Sequence, residues 1–298
     1  MNNKLLRGII PAIVTPFNDK GGLALESVAK LIENFIDYGC EALYVCGVTG
    51  ECLSLSVTER KEMAKEVMKV MKDRLPIVIH VGGTKTTNGA VELAKHAEII
   101  GATAVSSMAP VNSPRDLNAA VEHYRKIGEA VSIPFYVYWI AKTAQPVTAK
   151  IFLEKMEKIP NFSGIKFSDN NLYLFERIKE YSGGKLNLLT GVDEMNLSGM
   201  VMKSDGAIGS TYNVMPKLFV NMRRDFENGN IKGAMEAQRR ANYLIEAMLE
   251  TEVGIVPGIK AILNYRGFNV GSSRKPHKDI SRKQLEVLLG IVNKYKLE

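Results

Sequence analysis

The sequence predicts an α/β protein: a (β/α)8 barrel, or TIM barrel, followed by a helical C-terminal extension. Short, continuously apolar segments alternate eight times with amphipathic helical segments. Strands that are apolar throughout are typical of a parallel sheet buried on both faces. No linker rich in Pro, Gly or Ser divides the chain of 298 residues. We therefore expect one barrel over residues 1–216, with residues 217–298 packed against it.

The eight predicted strands share an apolar interior and lie at the spacing that strand-helix units require. They are residues 8–15, 42–48, 77–81, 104–109, 134–139, 164–167, 186–189 and 207–210.

Several of the intervening helices have recognisable N-termini. Ser56 and Glu59 form a capping box, and Thr148 precedes a segment with apolar residues at helical spacing. Ser113 and Pro114 suggest an N-cap followed by a proline in the first turn. After Pro216 the strand pattern stops, and the chain reads as helices, for example over residues 234–250 and 282–295.

Composition excludes several classes of protein. Hydrophobic residues make up 46% and charged residues 24% of the chain, as in ordinary globular proteins. No apolar run approaches the roughly 20 residues of a membrane-spanning helix, and the N-terminus lacks the apolar core of a signal peptide. We therefore expect a cytoplasmic protein without a membrane partner.

Neither a metal nor a nucleic acid is expected as a partner. Cys40, Cys46 and Cys52 match no zinc or redox motif, which is typical of a reducing compartment, and the four histidines form no ligand pair. The net charge is +7, but basic residues alternate with acidic ones and form no aromatic-rich patch. A basic surface of this kind favours anionic metabolites.

Polar residues at the ends of the predicted strands are the candidates for function, because a barrel of this kind carries its active site there. Two glycines bracket Thr49 after the second strand, which suits either a carboxylate-binding turn or an ordinary loop. In the fifth strand Tyr136 and Tyr138 share one face, and an inward tyrosine can transfer a proton or simply pack.

Lys166 is the strongest local signal, because it interrupts an apolar strand. A buried amine with a lowered pKa can attack a ketone and form a Schiff base; alternatively, its side chain reaches solvent at the strand end. Asp193 and Glu194 follow the seventh strand, Ser210 ends the eighth, and all three could bind hydroxyl groups. Asp193 could instead cap the next helix.

Five segments together resemble the N-acetylneuraminate lyase and dihydrodipicolinate synthase superfamily of Schiff-base aldolases, over essentially the whole chain. They are TPF at 15–17, GVTGE at 47–51, GIKFSD at 164–169, GVDE at 191–194 and DGAIGSTYN at 205–213. Within the superfamily the chain is more similar to the lyase branch, since Thr143 stands where the synthases place an arginine.

The resemblance implies a role for each candidate residue. Lys166 is the nucleophile and Tyr138 transfers protons. Val48 and Thr49 adjoin the carboxylate of a 2-oxo acid. The remaining positions line the polyhydroxy end of the substrate, and they are Ser168, Gly191, Asp193, Glu194 and Ser210. The resemblance implies no cofactor, since the lysine supplies the electron sink, and it implies a homotetramer.

Two departures from the superfamily pattern leave the substrate open. Val48 replaces a Ser or Thr whose hydroxyl contacts the carboxylate, and Trp139 follows the tyrosine. The first hypothesis is cleavage of N-acetylneuraminate to pyruvate and N-acetylmannosamine. The alternatives are a related aldolase or dehydratase acting on another 2-oxo sugar acid, and a catalytically weakened barrel that binds an acidic sugar.

Overall fold

Eight parallel strands form a barrel in the computed structural model, which describes residues 5–113, 115–141 and 147–297. Each strand pairs with its sequence neighbour, and β1 pairs with β8. A bridge between Ala12 and Tyr44 joins β1 to β2. The (β/α)8 barrel is thereby confirmed. The strands are β1 Gly8–Pro11, β2 Leu43–Val45, β3 Ile77–His80, β4 Ala104–Met108, β5 Phe135–Ile140, β6 Phe162–Ser168, β7 Asn187–Thr190 and β8 Gly206–Gly209.

Helices follow the strands and surround the barrel, and in the described part of the chain three further helices come after the eighth unit. They are α1 Val28–Asp37, α2 Val57–Met71, α3 Thr87–Ile99, α4 Leu117–Gly128, α5 Ala149–Met156, α6 Leu172–Tyr181, α7 Asn196–Val201, α8 Pro216–Glu227, α9 Ile231–Glu250, α10 Ile255–Tyr265 and α11 Arg282–Tyr295. Within the described residues, none of them is long and apolar enough to cross a membrane.

The helix starts agree with the sequence at two positions and disagree at one. The capping box of Ser56 and Glu59 is present, and Thr148 accepts a hydrogen bond from the backbone of Ile151. The prediction of Ser113 as an N-cap is wrong. Helix α4 begins at Leu117, and the carboxylate of Asp116 accepts two backbone N–H bonds there. The proline that completed the predicted signal, Pro114, lies outside the described residues.

The core has two layers, as the alternation of strand residues requires. Tyr44, Tyr136 and Tyr138 point into the barrel, among small and aliphatic side chains. Residues such as Ile165 and Phe167 point outward and pack against the helices. The inner layer forms the floor beneath the carboxyl ends of the strands.

A buried histidine links the helical layer to the barrel. The Ser107 hydroxyl donates to the Met108 carbonyl at 2.9 Å, so it accepts from Nε2 of His123, also at 2.9 Å. Nδ1 of His123 therefore accepts from the Thr87 hydroxyl, 2.9 Å away. Burial lowers the pKa of His123 from 6.5 to about 4, so the imidazole is neutral in this arrangement.

Candidate active site

Lys166 lies inside the barrel near the carboxyl end of β6. Its residue is 4% exposed. The Nζ atom lies 4.2 Å from the ring centroid of Tyr44 and 4.1 Å from that of Tyr138. Burial lowers the pKa of Lys166 from 10.5 to about 7, and the nearby carboxylate of Asp193 opposes that shift. The amine therefore does not reach solvent, and much of it is neutral near neutral pH.

Tyr138 stands beside the lysine, because β5 and β6 pair Tyr138 with Lys166. Burial raises the pKa of Tyr138, and a hydrogen bond with Ser168 opposes that rise. The Ser168 hydroxyl also donates to the Gly191 carbonyl at 2.9 Å. The phenol is therefore protonated near neutral pH and belongs to a short chain of hydroxyl groups next to the amine.

Gly191 allows this close approach of β7 to β6. A Cβ atom at residue 191 would lie 2.1 Å from the Ser168 Oγ and 3.3 Å from the Lys166 Cε. Any larger side chain would therefore displace one of two candidate residues. This steric constraint explains why glycine stands at a position that sequence reasoning assigned to the pocket.

The turn at residues 47–50 follows β2 and lies against the ring of Tyr44. A Cβ atom at Gly47 would lie 2.6 Å from a carbon of that ring. Among the described residues, the N–H groups of Val48, Thr49 and Gly50 donate no hydrogen bond. Thr49 is buried, whereas Val48 is 44% exposed. Unpaired N–H groups on consecutive residues of a turn are suited to an anion such as a carboxylate.

Asp193 is held by the loop that follows β8. Its Oδ2 accepts from the Thr211 N–H at 2.8 Å, the Thr211 hydroxyl at 2.7 Å and the Ser210 hydroxyl at 3.2 Å. The helical turn that begins at Asp193 has no side-chain cap, and the Asp193 carboxylate instead binds the N–H of Thr211, the first residue of the helical turn after β8. Burial raises the pKa of Asp193, and Thr211 opposes the rise. Glu194, next to it, is exposed.

Trp139 points away from the pocket. Its ring stacks on Phe167, with centroids 6.3 Å apart and planes inclined by 2°, and its edge meets Phe152 at 5.3 Å. Its Nε1 donates to the Asp169 carboxylate at 3.0 Å. Trp139 therefore belongs to the packing between barrel and helices and does not line the pocket. Thr143, the other position of interest, lies outside the described residues.

A polar cluster beneath the lysine was missed by sequence reasoning. The Tyr44 hydroxyl lies 3.0 Å from the His80 Nδ1 and 3.1 Å from the Ser106 Oγ. Burial lowers the pKa of His80 well below its ordinary range, so the imidazole is neutral. The alternation of β2, β3 and β4 provided a signal, because these three side chains occupy inward positions on adjacent strands.

Metal-ligating clusters are not part of this arrangement: the described residues contain no group of three or more His, Cys, Asp or Glu side chains that could hold a metal ion. The functional groups of the site are a buried amine, a phenol, unpaired N–H groups and hydroxyl-binding side chains. A buried lysine of lowered pKa at the carboxyl end of a (β/α)8 barrel is the arrangement of a class I aldolase.

Comparison with known proteins agrees with that class. Residues 5–294 match the family described as "Dihydrodipicolinate synthetase family", and the chain belongs to that family. It is similar to the N-acetylneuraminate lyase of Rhizobium meliloti, with 31% identity over 283 residues that cover 95% of this chain and 93% of that protein. It is also similar to the 4-hydroxy-tetrahydrodipicolinate synthase of Thermoanaerobacter sp. (strain X514), with 29% identity over 294 residues and 98% coverage of both.

A solved structure extends the similarity to three dimensions. The "Ruminococcus gnavus sialic acid aldolase catalytic lysine mutant" superposes with a TM-score of 0.92 at 29% identity, covering 97% of this chain and 95% of that one. The resemblance predicted from the motifs is confirmed. The protein is an enzyme, a lyase of the class I aldolase type.

Proposed function

We propose that this enzyme cleaves N-acetylneuraminate to pyruvate and N-acetylmannosamine through a Schiff base on Lys166. The observation that carries the proposal is the buried amine of Lys166, whose pKa is about 7, between two aromatic faces. A related aldolase is described by its catalytic lysine, which supports the assignment of a lysine to the chemistry.

The first half of the reaction forms the electron sink. The lone pair of the neutral Lys166 amine attacks the substrate ketone, and with one proton taken from solvent the adduct loses water and becomes an iminium; hydrolysis of the iminium at the end of the cycle returns that proton. The N–H groups of Thr49 and Gly50 hold the adjacent carboxylate. The positive iminium lies against the rings of Tyr44 and Tyr138, whose faces favour a cation. No cofactor enters these steps, since the iminium itself accepts the electron pair.

The second half breaks the carbon–carbon bond. The substrate hydroxyl gives its proton to the Tyr138 oxygen, while the phenol passes its own proton to the substrate carboxylate, because burial keeps Tyr138 protonated. The hydroxyl oxygen becomes the aldehyde oxygen, and the bond electrons move to the iminium to form an enamine. Protonation of the enamine and addition of water release pyruvate and restore Lys166.

The rest of the sugar is assigned to the opposite wall of the pocket. Asp193 and Ser210 are fixed by their hydrogen bonds, and Glu194 is an exposed carboxylate next to them. Ser168 and Gly191 link this wall to Tyr138. Carboxylate oxygens accept hydrogen bonds from the hydroxyls of a polyhydroxy chain, and hydroxyl groups both accept and donate them, which supports a sugar acid as substrate.

Val48 favours a second candidate, an aldolase or dehydratase of the same chemistry that acts on a different 2-oxo sugar acid. Its exposed isopropyl group offers the substrate no hydrogen bond. Product analysis by mass, across a panel of sugar acids that includes N-acetylneuraminate, distinguishes the two. Failure of every acid to react, together with binding, would instead support the catalytically weakened barrel.

The assembly is proposed to be a homotetramer in the cytoplasm. Exposed apolar side chains on α6, α7 and α9, namely Tyr173, Val201 and Met235, support contacts between copies. Three unpaired, buried cysteines support a reducing compartment. Sedimentation at micromolar concentration tests the assembly, and a stable species of 32.9 kDa would contradict it.

A further inference from the structure

The turn that presents the unpaired N–H groups ends in a buried ion pair with the C-terminal part of the chain. Glu51 follows the turn directly, and its Oε1 lies 2.6 Å from the Nζ of Lys260 on α10, with side-chain exposures of 0% and 1%. The other carboxylate oxygen accepts from the backbone N–H of Arg274 at 2.8 Å. Lys260 also donates to the Ser272 carbonyl at 3.2 Å.

Arg274 ties the same segment to the residues on either side of the turn. Its Nε donates to the Gly21 carbonyl at 2.9 Å, and its Nη1 donates to the Ser54 carbonyl at 2.9 Å. The guanidinium also pairs with Glu59, at the start of α2. Lys260 and Arg274 both lie over the ring of Phe17, at 4.1 and 4.3 Å. We call Glu51, Lys260 and Arg274 the C-terminal clasp.

The turn between these contacts has a backbone that needs external support. Cys46 and Glu51, one before and one after residues 47–50, both have φ of 57°, in the left-handed region that non-glycine residues seldom adopt. Such conformations persist where surrounding contacts fix them. The Thr15 hydroxyl donates to the Gly50 carbonyl at 2.7 Å, and the clasp holds Glu51.

We propose that the C-terminal clasp positions the N–H groups of Thr49 and Gly50 for the substrate carboxylate, so that Glu51, Lys260 and Arg274 are positioning residues for this site. This inference rests on the proposed function, which assigns the carboxylate to that turn. Burying two charges is costly, and an apolar pair is often as stable, so fold stability alone does not account for the ion pair. The helices after the barrel then form part of the active site.

Two ketones separate positioning from general damage. Pyruvate carries the carboxylate that the turn is proposed to hold, whereas acetone forms a Schiff base on the same amine without one. Each is incubated with borohydride at increasing concentration, and the label on Lys166 is measured by peptide mass. The variants are Glu51→Gln and Lys260→Met. The control is Lys61→Met, which removes a lysine from an exposed ion pair with Glu92 across α2 and α3.

The clasp predicts a selective loss. The half-saturating pyruvate concentration should rise about tenfold or more in both clasp variants, because displacement of the N–H groups by about 1 Å is enough for such losses. Half-saturation by acetone should change little, and the control should match wild type with both ketones. Equal weakening for the two ketones, or a lowered Tm with unchanged half-saturation by pyruvate, would overturn the proposal.

A milder variant tests the proposal even if Glu51→Gln and Lys260→Met do not fold. Arg274→Lys keeps a positive charge but cannot bridge Gly21, Ser54 and Glu59 together. Its half-saturating concentration should likewise rise for pyruvate and change little for acetone. Unchanged pyruvate trapping in a folded Arg274→Lys protein would count against the clasp. If wild-type Lys166 takes no label from either ketone, the proposed function itself fails, and with it the carboxylate that the clasp is proposed to serve.

Discussion

Val48 offers the sharpest test of how this pocket differs from its relatives. The residue precedes Thr49 in the turn, and its isopropyl side chain is 44% exposed at the mouth of the barrel. Threonine has almost the same shape, with a hydroxyl in place of one methyl group. Val48→Thr therefore adds a hydrogen-bonding group near the proposed carboxylate position with little change in volume. Val48→Ser adds the same hydroxyl on a smaller side chain.

The expected gain follows from the exposure of the site. A hydrogen bond to a charged group contributes about 1.5–3 kcal/mol. Because Val48 is 44% exposed, water competes for the carboxylate, so the lower end of that range applies. About 1.4 kcal/mol corresponds to a tenfold change in rate. We therefore expect kcat/KM for N-acetylneuraminate to rise about tenfold in Val48→Thr and Val48→Ser.

The assay compares kcat/KM of wild type and variants on N-acetylneuraminate and several other 2-oxo sugar acids. Val48→Ala is the matched control, because it shortens the side chain without adding a hydroxyl, and it should not gain activity. Loss of activity on every acid in the Thr and Ser variants would show that Val48 is adapted to its pocket and that the missing-hydroxyl argument is wrong. A gain confined to N-acetylneuraminate would indicate that another acid is the natural substrate.

Three further predictions follow from pKa values and packing. Trapping of pyruvate should accelerate as pH rises through about 7 and then level off, because only neutral Lys166 attacks; a rate that does not vary with pH in this range contradicts the assignment. His123 has a folded pKa of about 4, below its ordinary 6.5, so its contribution to stability is complete above pH 6.5 and is lost as pH falls towards 4. The free energy of unfolding, measured in urea, should therefore fall between about pH 7.5 and about pH 5 by about 2 kcal/mol less in His123→Gln than in wild type. An equal fall in the two proteins would refute this. Gly191→Ala should lower kcat/KM by about tenfold or more by displacing Ser168, whereas Gly290→Ala, where a Cβ meets no atom within 4 Å, should not; equal effects of the two would contradict the steric argument.

The sequence predicted the barrel because its signals were local. Apolar runs located all eight strands, but their ends were less accurate: the first was expected to extend to residue 15 and ends at Pro11. Strand ends depend on how far the neighbouring strand continues, which no single segment reveals. The start of α4 shows the same limit. Ser113 and Asp116 are both good caps, and the path of the chain after β4 decides between them.

The candidate site likewise contains residues that the sequence predicted and contacts that it did not. Lys166 was a candidate because a lysine that interrupts an apolar strand is itself a signal, whereas only the family resemblance distinguished Tyr138 from Tyr136. The partners of Tyr44 were not, because its contacts with His80 and Ser106 need the register of three strands. The C-terminal clasp could not be predicted either, since Glu51 and Arg274 lie 223 positions apart in the chain. Trp139 lies on the outward face of β5, opposite to Tyr138, so this departure from the superfamily pattern does not line the pocket.

Covalent trapping tests the central claim most directly. Wild-type protein is incubated with pyruvate and borohydride, digested and mapped by mass, with Lys166→Met as the control. The proposed mechanism predicts one reduced pyruvyl group per chain, located on Lys166, and none in the control. Label on another lysine, or an unlabelled Lys166 at saturating pyruvate, would contradict the Schiff-base mechanism.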